Sequence, residues 1–63
     1  MPLVQISLTR GRTPEQLQAL GEAVTEAVAA SLGAPAASVR VLLQEVEPAH
    51  WFVGGETLAS KRA

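Results

Sequence analysis

One long amphipathic segment lies between two short apolar runs, and nothing else in the chain restricts its fold so tightly. The segment opens with Thr13-Pro14-Glu15-Gln16 and closes at Gly33-Ala34-Pro35. Thr13 suits a helix N-cap, Pro14 suits the first helical position because its missing N–H is unpaired there anyway, and Gln16 completes a capping box. Leu17, Leu20, Val24, Ala27, Val28 and Leu32 recur at helical spacing, with Gln18, Glu22 and Glu26 on the wet side. Gly33 ends the helix and Pro35 forbids its continuation. The spacing predicts a helix over 14–32, roughly 28 Å long at 1.5 Å per residue. Gly21 inside it costs about 1 kcal/mol against alanine, a loss that close packing on a sheet would offset.

The flanking runs read as strands. In 3–9, LVQISLT, Val4, Ile6 and Leu8 point one way and Leu3, Gln5, Ser7 and Thr9 the other. Arg10-Gly11-Arg12 then turns the chain. In 39–46, VRVLLQEV, Val39, Val41 and Leu43 share a face, and Arg40, Leu42, Gln44 and Val46 share the other. Strand, long helix and strand make a βαβ unit with parallel strands and a right-handed crossover. After a turn at Glu47-Pro48-Ala49-His50 comes the apolar run Trp51-Phe52-Val53, then Gly54-Gly55, which permits a tight turn. Residues 56–63 suit a hairpin arm that reaches a neighbour. The whole chain, 1–63, reads as a single α/β domain.

Such a unit is too small to stand alone. A 63-residue chain buries only about 60% of its unfolded surface, one helix covers one face of the sheet, and two strands leave two bare edges. The absence of cysteine excludes disulfides and thiolate metal sites, and His50 is the only histidine, so no metal site is expected. Oligomerisation remains. With 48% hydrophobic residues, pairing two βαβ units edge to edge would give a four-stranded sheet with two helices on one side. A net charge of −1 with sparse cations argues against nucleic acid. No membrane span or signal peptide is visible, so a soluble cytoplasmic protein is expected.

The polar residues able to do chemistry are Pro2, Arg10, Arg12, Arg40, His50 and Glu56, with Trp51 and Phe52 as apolar walls. Proline is tolerated at the start of a strand. If Met1 is removed, however, Pro2 carries a secondary amine. Burial beside Trp51 and Phe52 and nearby Arg12 and Arg40 would disfavour its ammonium form and leave a usable base. Arg40 in an apolar strand needs a partner such as Glu45 across a subunit boundary, or an anionic ligand. Arg12 is either a solvated turn cation or a carboxylate clamp.

These pieces resemble the small 4-oxalocrotonate tautomerases over essentially the whole chain: MP at the start, GRTPEQ into the helix, LGAPAASVRV into the second strand and HWFVGGE in the tail. The resemblance implies a tautomerase fold, a hexamer built as a trimer of dimers, and a cofactor-independent isomerase. Its catalytic residues would be Pro2 as N-terminal base, Arg40 from a neighbouring subunit at the 2-oxo and C1-carboxylate end, and Arg12 on the distal carboxylate. Arg12, Arg40, Trp51 and Thr9 would contact an unsaturated 2-hydroxy or 2-oxo acid such as 2-hydroxymuconate, in aromatic catabolism or in a biosynthetic pathway. Related dehalogenases carry a further arginine where Thr9 stands, which disfavours that chemistry. Arg10 stands where an acid is frequent in the family, and Phe52 where glycine is, so substrate identity is the open point. A non-catalytic subunit of a mixed oligomer is the rival reading, since it needs no free proline amine.

Overall fold

The computed structural model describes residues 1–62. Strand β1 (Leu3–Thr9) leads to helix α1 (Pro14–Leu32), a 3₁₀ turn at Ala36–Ser38, and strand β2 (Arg40–Val46). A second 3₁₀ turn at Pro48–His50 precedes β3 (Phe52–Val53), β4 (Glu56–Thr57) and the short helix α2 (Leu58–Arg62). β1 and β2 pair in parallel, from Leu3 opposite Arg40 to Thr9 opposite Val46.

The helix begins and ends where its sequence dictates. The Thr13 hydroxyl accepts from the Gln16 N–H at 3.1 Å, and the Gln16 side chain accepts from the Thr13 N–H at 2.9 Å. At the other end Gly33 adopts φ 65°, left-handed backbone that a Cβ would strain, and its N–H donates to the Ala29 carbonyl. The long connection carries the chain back over the sheet, which parallel pairing requires.

Parity fixes the faces. Val4, Ile6, Leu8, Val41 and Leu43 lie half-buried on the face that α1 covers. Leu3 and Leu42, on the opposite face, remain 56% and 54% exposed. Nothing on α1 is fully buried. Ala27 and Leu32 of the predicted apolar stripe are exposed, Leu32 because the chain reverses at Gly33 directly after it. Among the described residues only Val39 and Thr9 fall in the buried class, at 8% and 7% exposure. The radius of gyration is 14.7 Å, against about 11 Å for a compact chain of this length. An apolar chain with so little interior buries its remaining surface against other chains.

Gly21 differs from the expectation of close packing. A Cβ there would meet no atom within 4 Å; the residue opens onto a trough between α1 and β2 that Leu17, Thr25, Val41 and Leu43 also line. Gly21→Ala is therefore expected to raise helix stability by about 1 kcal/mol and the thermal midpoint by roughly 4–8 °C. A fall in the midpoint would show that another chain packs into the notch.

The tail forms a hairpin, as expected, but a shorter one. β3 and β4 pair antiparallel, Phe52 opposite Thr57 and Val53 opposite Glu56. The turn places Gly54 and Gly55 at φ 59° and 87°, positive at both central positions as a type I′ hairpin needs. The expected arm over 56–63 is instead two strand residues followed by a helical turn, because the Thr57 hydroxyl accepts the Ser60 N–H at 3.1 Å and caps α2. Residue 63 lies outside the described residues.

Candidate active site

The sheet ends hold the chemistry. At the end where both strands begin, the Arg40 N–H donates to the Pro2 carbonyl at 2.9 Å. Pro2 is half-buried there. Its nitrogen is bonded to the carbonyl of Met1, an exposed residue, and as a tertiary amide it has no basicity. The Arg40 guanidinium folds back to the Ala37 carbonyl at 3.0 Å. The side chain is exposed on the face opposite α1, whereas Glu45, of opposite parity on β2, lies half-buried on the covered face. Within one chain Arg40 and Glu45 are therefore not partners.

At the other end, Arg12 Nη1 donates both to the Thr9 carbonyl and to the Thr9 hydroxyl, each at 3.0 Å. Thr9, nearly covered, is the anchor that holds this arginine against the end of β1. Both acceptors are neutral, so these two contacts leave the guanidinium without a carboxylate partner. Beside it the Arg10 N–H continues the ladder to the Val46 carbonyl at 3.0 Å, and its guanidinium Nε forms an ion pair with Glu47. Trp51 follows the 3₁₀ turn that Glu47 initiates. It is half-buried, its N–H reaching the Pro48 carbonyl at 3.4 Å and its own carbonyl accepting from Leu58 at 2.9 Å.

The five expected site residues thus divide. Pro2 and Arg40 share one end of the sheet; Thr9, Arg12 and Trp51 follow from the other. β1 has seven residues, and at about 3.3 Å per residue the two groups stand roughly 20 Å apart. No small acid spans that gap, so one chain does not bring all five expected residues together. The Arg10–Glu47 pair is not among the contacts expected from the sequence. It depends on a strand offset of 37, which Thr9 opposite Val46 extends by one residue and which alternation alone does not supply. Among the described residues no three His, Asp or Glu side chains cluster to hold a metal ion, and no helix is long and apolar enough to cross a membrane.

The sequence model of the tautomerase enzyme family matches residues 2–61, and the chain belongs to that family. It is 48% identical over 61 residues to a 2-hydroxymuconate tautomerase of Pseudomonas putida, covering 97% of this chain and 95% of the relative. Among solved structures, TomN, a 4-oxalocrotonate tautomerase homologue in the tomaymycin biosynthetic pathway, superimposes with a TM-score of 0.94 at 46% identity, over 97% of this chain and 94% of that one. A heterohexamer 4-oxalocrotonate tautomerase from Chloroflexus aurantiacus superimposes with a TM-score of 0.89 at 44% identity, over 94% and 95% of the two chains. The protein is accordingly a tautomerase, an isomerase of the keto–enol class.

Proposed function

We propose that this tautomerase acts on an unsaturated 2-hydroxy acid of the 2-hydroxymuconate type, with Pro2 as general base after loss of Met1. The observation that carries the reading is the separation of Pro2 from Arg12 along one strand whose outer edge is free. The Arg40 and Arg10 N–H groups bond to Pro2 and Val46 across the pair, so the even residues of β1 face β2. The odd ones, Gln5 and Ser7 among them, turn their N–H groups outward. A second copy added antiparallel along that edge sets its Thr9–Arg12 turn on the strand next to Pro2, about 4.8 Å away in the pairing direction. Pairing through β2 instead would leave three strand spacings, about 14 Å, between them. The β1 arrangement gives two equivalent sites per pair and a four-stranded sheet with two helices on one side.

In that site the Pro2 amine takes the 2-hydroxyl proton and delivers a proton to carbon, forming the conjugated 2-oxo acid. No atom is gained or lost and no cofactor takes part. Arg12 holds the far carboxylate by a charge-assisted, bidentate contact. Arg40, exposed on the uncovered face, serves a neighbouring copy and stabilises negative charge developing on the 2-oxygen. Trp51 walls the site and excludes water. Stacking three such pairs through the faces that expose Leu3 and Leu42 gives a homohexamer and buries those residues. The whole chain then acts as one domain of a soluble, cytoplasmic assembly.

The role of Arg12 separates by substrate. Arg12→Ala is expected to raise KM for 2-hydroxymuconate by about ten- to a hundredfold, the value of a lost charged hydrogen bond, and to leave a monoacid dienol much less affected. Equal losses on both substrates would remove Arg12 from the distal carboxylate. The similarity to TomN supports a second reading, in which the same proton transfer serves a biosynthetic acid. Parallel assays of 2-hydroxymuconate and a bulkier monoacid dienol decide between them.

A further inference from the structure

The end of the sheet that carries Arg12 carries a second arginine whose charge is cancelled. Arg10 is paired with Glu47, whereas Arg12 meets only the neutral oxygens of Thr9. Only Gly11 separates Arg10 from Arg12, so their Cα atoms stand at most about 7 Å apart, at the same end of the sheet. We infer that Glu47 is a specificity-determining residue: by holding Arg10 in an ion pair it leaves Arg12 as the arginine open to an anion at this end of the site, and so sets how strongly a dianionic acid is preferred over a monoanionic one.

Geometry and energetics agree on this role. Glu47 is the cap of the 3₁₀ turn that leads to Trp51, and its carbonyl accepts the His50 N–H at 2.8 Å. The carboxylate therefore stands on the short link between β2 and the aromatic wall. Both side chains of the pair remain about half exposed, at 56% and 51%, and exposed pairs contribute little to stability. Changing one partner therefore alters local charge more than it alters the fold. The inference rests on the reading of Arg12 as the group that holds the distal carboxylate.

The test is an NMR titration of the assembled protein, freed of Met1, with adipate as dianion and pentanoate as monoanion, at low ionic strength. Glu47→Gln releases Arg10 and is expected to raise the adipate-to-pentanoate affinity ratio about threefold, the effect of one unit charge at about 7 Å in a water-like dielectric. The gain shrinks in high salt. Adding Arg10→Gln to that variant returns the ratio to its starting value. Arg10→Gln alone leaves the Glu47 charge uncompensated and lowers the ratio. It decides the matter if Glu47→Gln fails to assemble. A ratio unchanged across the folded variants, or adipate binding by none of them, overturns the inference. Turnover of 2-hydroxymuconate is followed on the same samples. Turnover with an unchanged ratio sinks the inference and spares the reading of the site. The expected ratios without turnover sink 2-hydroxymuconate as the substrate and leave the roles of Arg12 and Glu47 standing. With both intact, KM for the dicarboxylate falls in Glu47→Gln and kcat does not move.

Discussion

A form of the protein that keeps Met1 is expected to turn over 2-hydroxymuconate at least about a hundredfold more slowly than the form that begins at Pro2. A positioned general base contributes about 10²–10⁴ in rate, and the acylated proline nitrogen has no lone pair to offer. Intact mass on each preparation reports which form is present, so turnover can be plotted against the fraction of chains lacking methionine. Pro2→Ala is the companion variant. Alanine retains an amine after processing but loses the ring that fixes its direction, so kcat falls while KM stays close to its original value. If both forms turn over equally, Pro2 is only the residue that starts β1.

The second large effect concerns the free edge of β1. Ser7→Pro removes an N–H that faces outward, without touching the ladder to β2. Expected results are a drop in native mass from the assembled form to smaller species and loss of nearly all turnover, because Pro2 and Arg12 then stand roughly 20 Å apart with nothing to bridge them. Dilution of the unaltered protein provides the matching control. Activity per chain should fall in the concentration range where the assembly dissociates, and adding the substrate analogue adipate should shift that range downward, since a ligand stabilises the state that binds it. An active, dissociated Ser7→Pro variant would contradict a site shared between copies.

Much of the architecture was legible in the residues because local chemistry decides it. Thr13, Pro14 and Gln16 fix one end of α1, Gly33 the other, and strand alternation groups Val4, Ile6 and Leu8 on one face. The Gly-Gly turn was legible for the same reason. What escaped was either too local or too distant. The 3₁₀ turn at Ala36–Ser38 forms on three residues and leaves no periodicity, whereas the turn at Pro48–His50 lies where the sequence places one. The capping of α2 by Thr57 is a single hydrogen bond after a strand of two residues. The close packing expected of Gly21 on the sheet is not found, because its Cβ position is open. The Arg10–Glu47 contact needs the strand offset, a long-range quantity. As for the proposed site, Pro2, Arg12 and Arg40 stand out in the sequence as candidates; β1 itself separates Pro2 from Arg12, and the register of the parallel pair sets Arg40 beside Pro2.

That division has a genetic consequence. If each site takes its proline from one copy and its arginine turn from another, as proposed above, the chain tolerates partial loss when its gene is duplicated. One daughter gene can discard the proline and the other the turn, and a mixed assembly still contains some sites built wholly from intact halves. From then on neither daughter is dispensable, and the two chains are bound to evolve together. An enzyme this small can thus become obligately two-component without acquiring a single new residue.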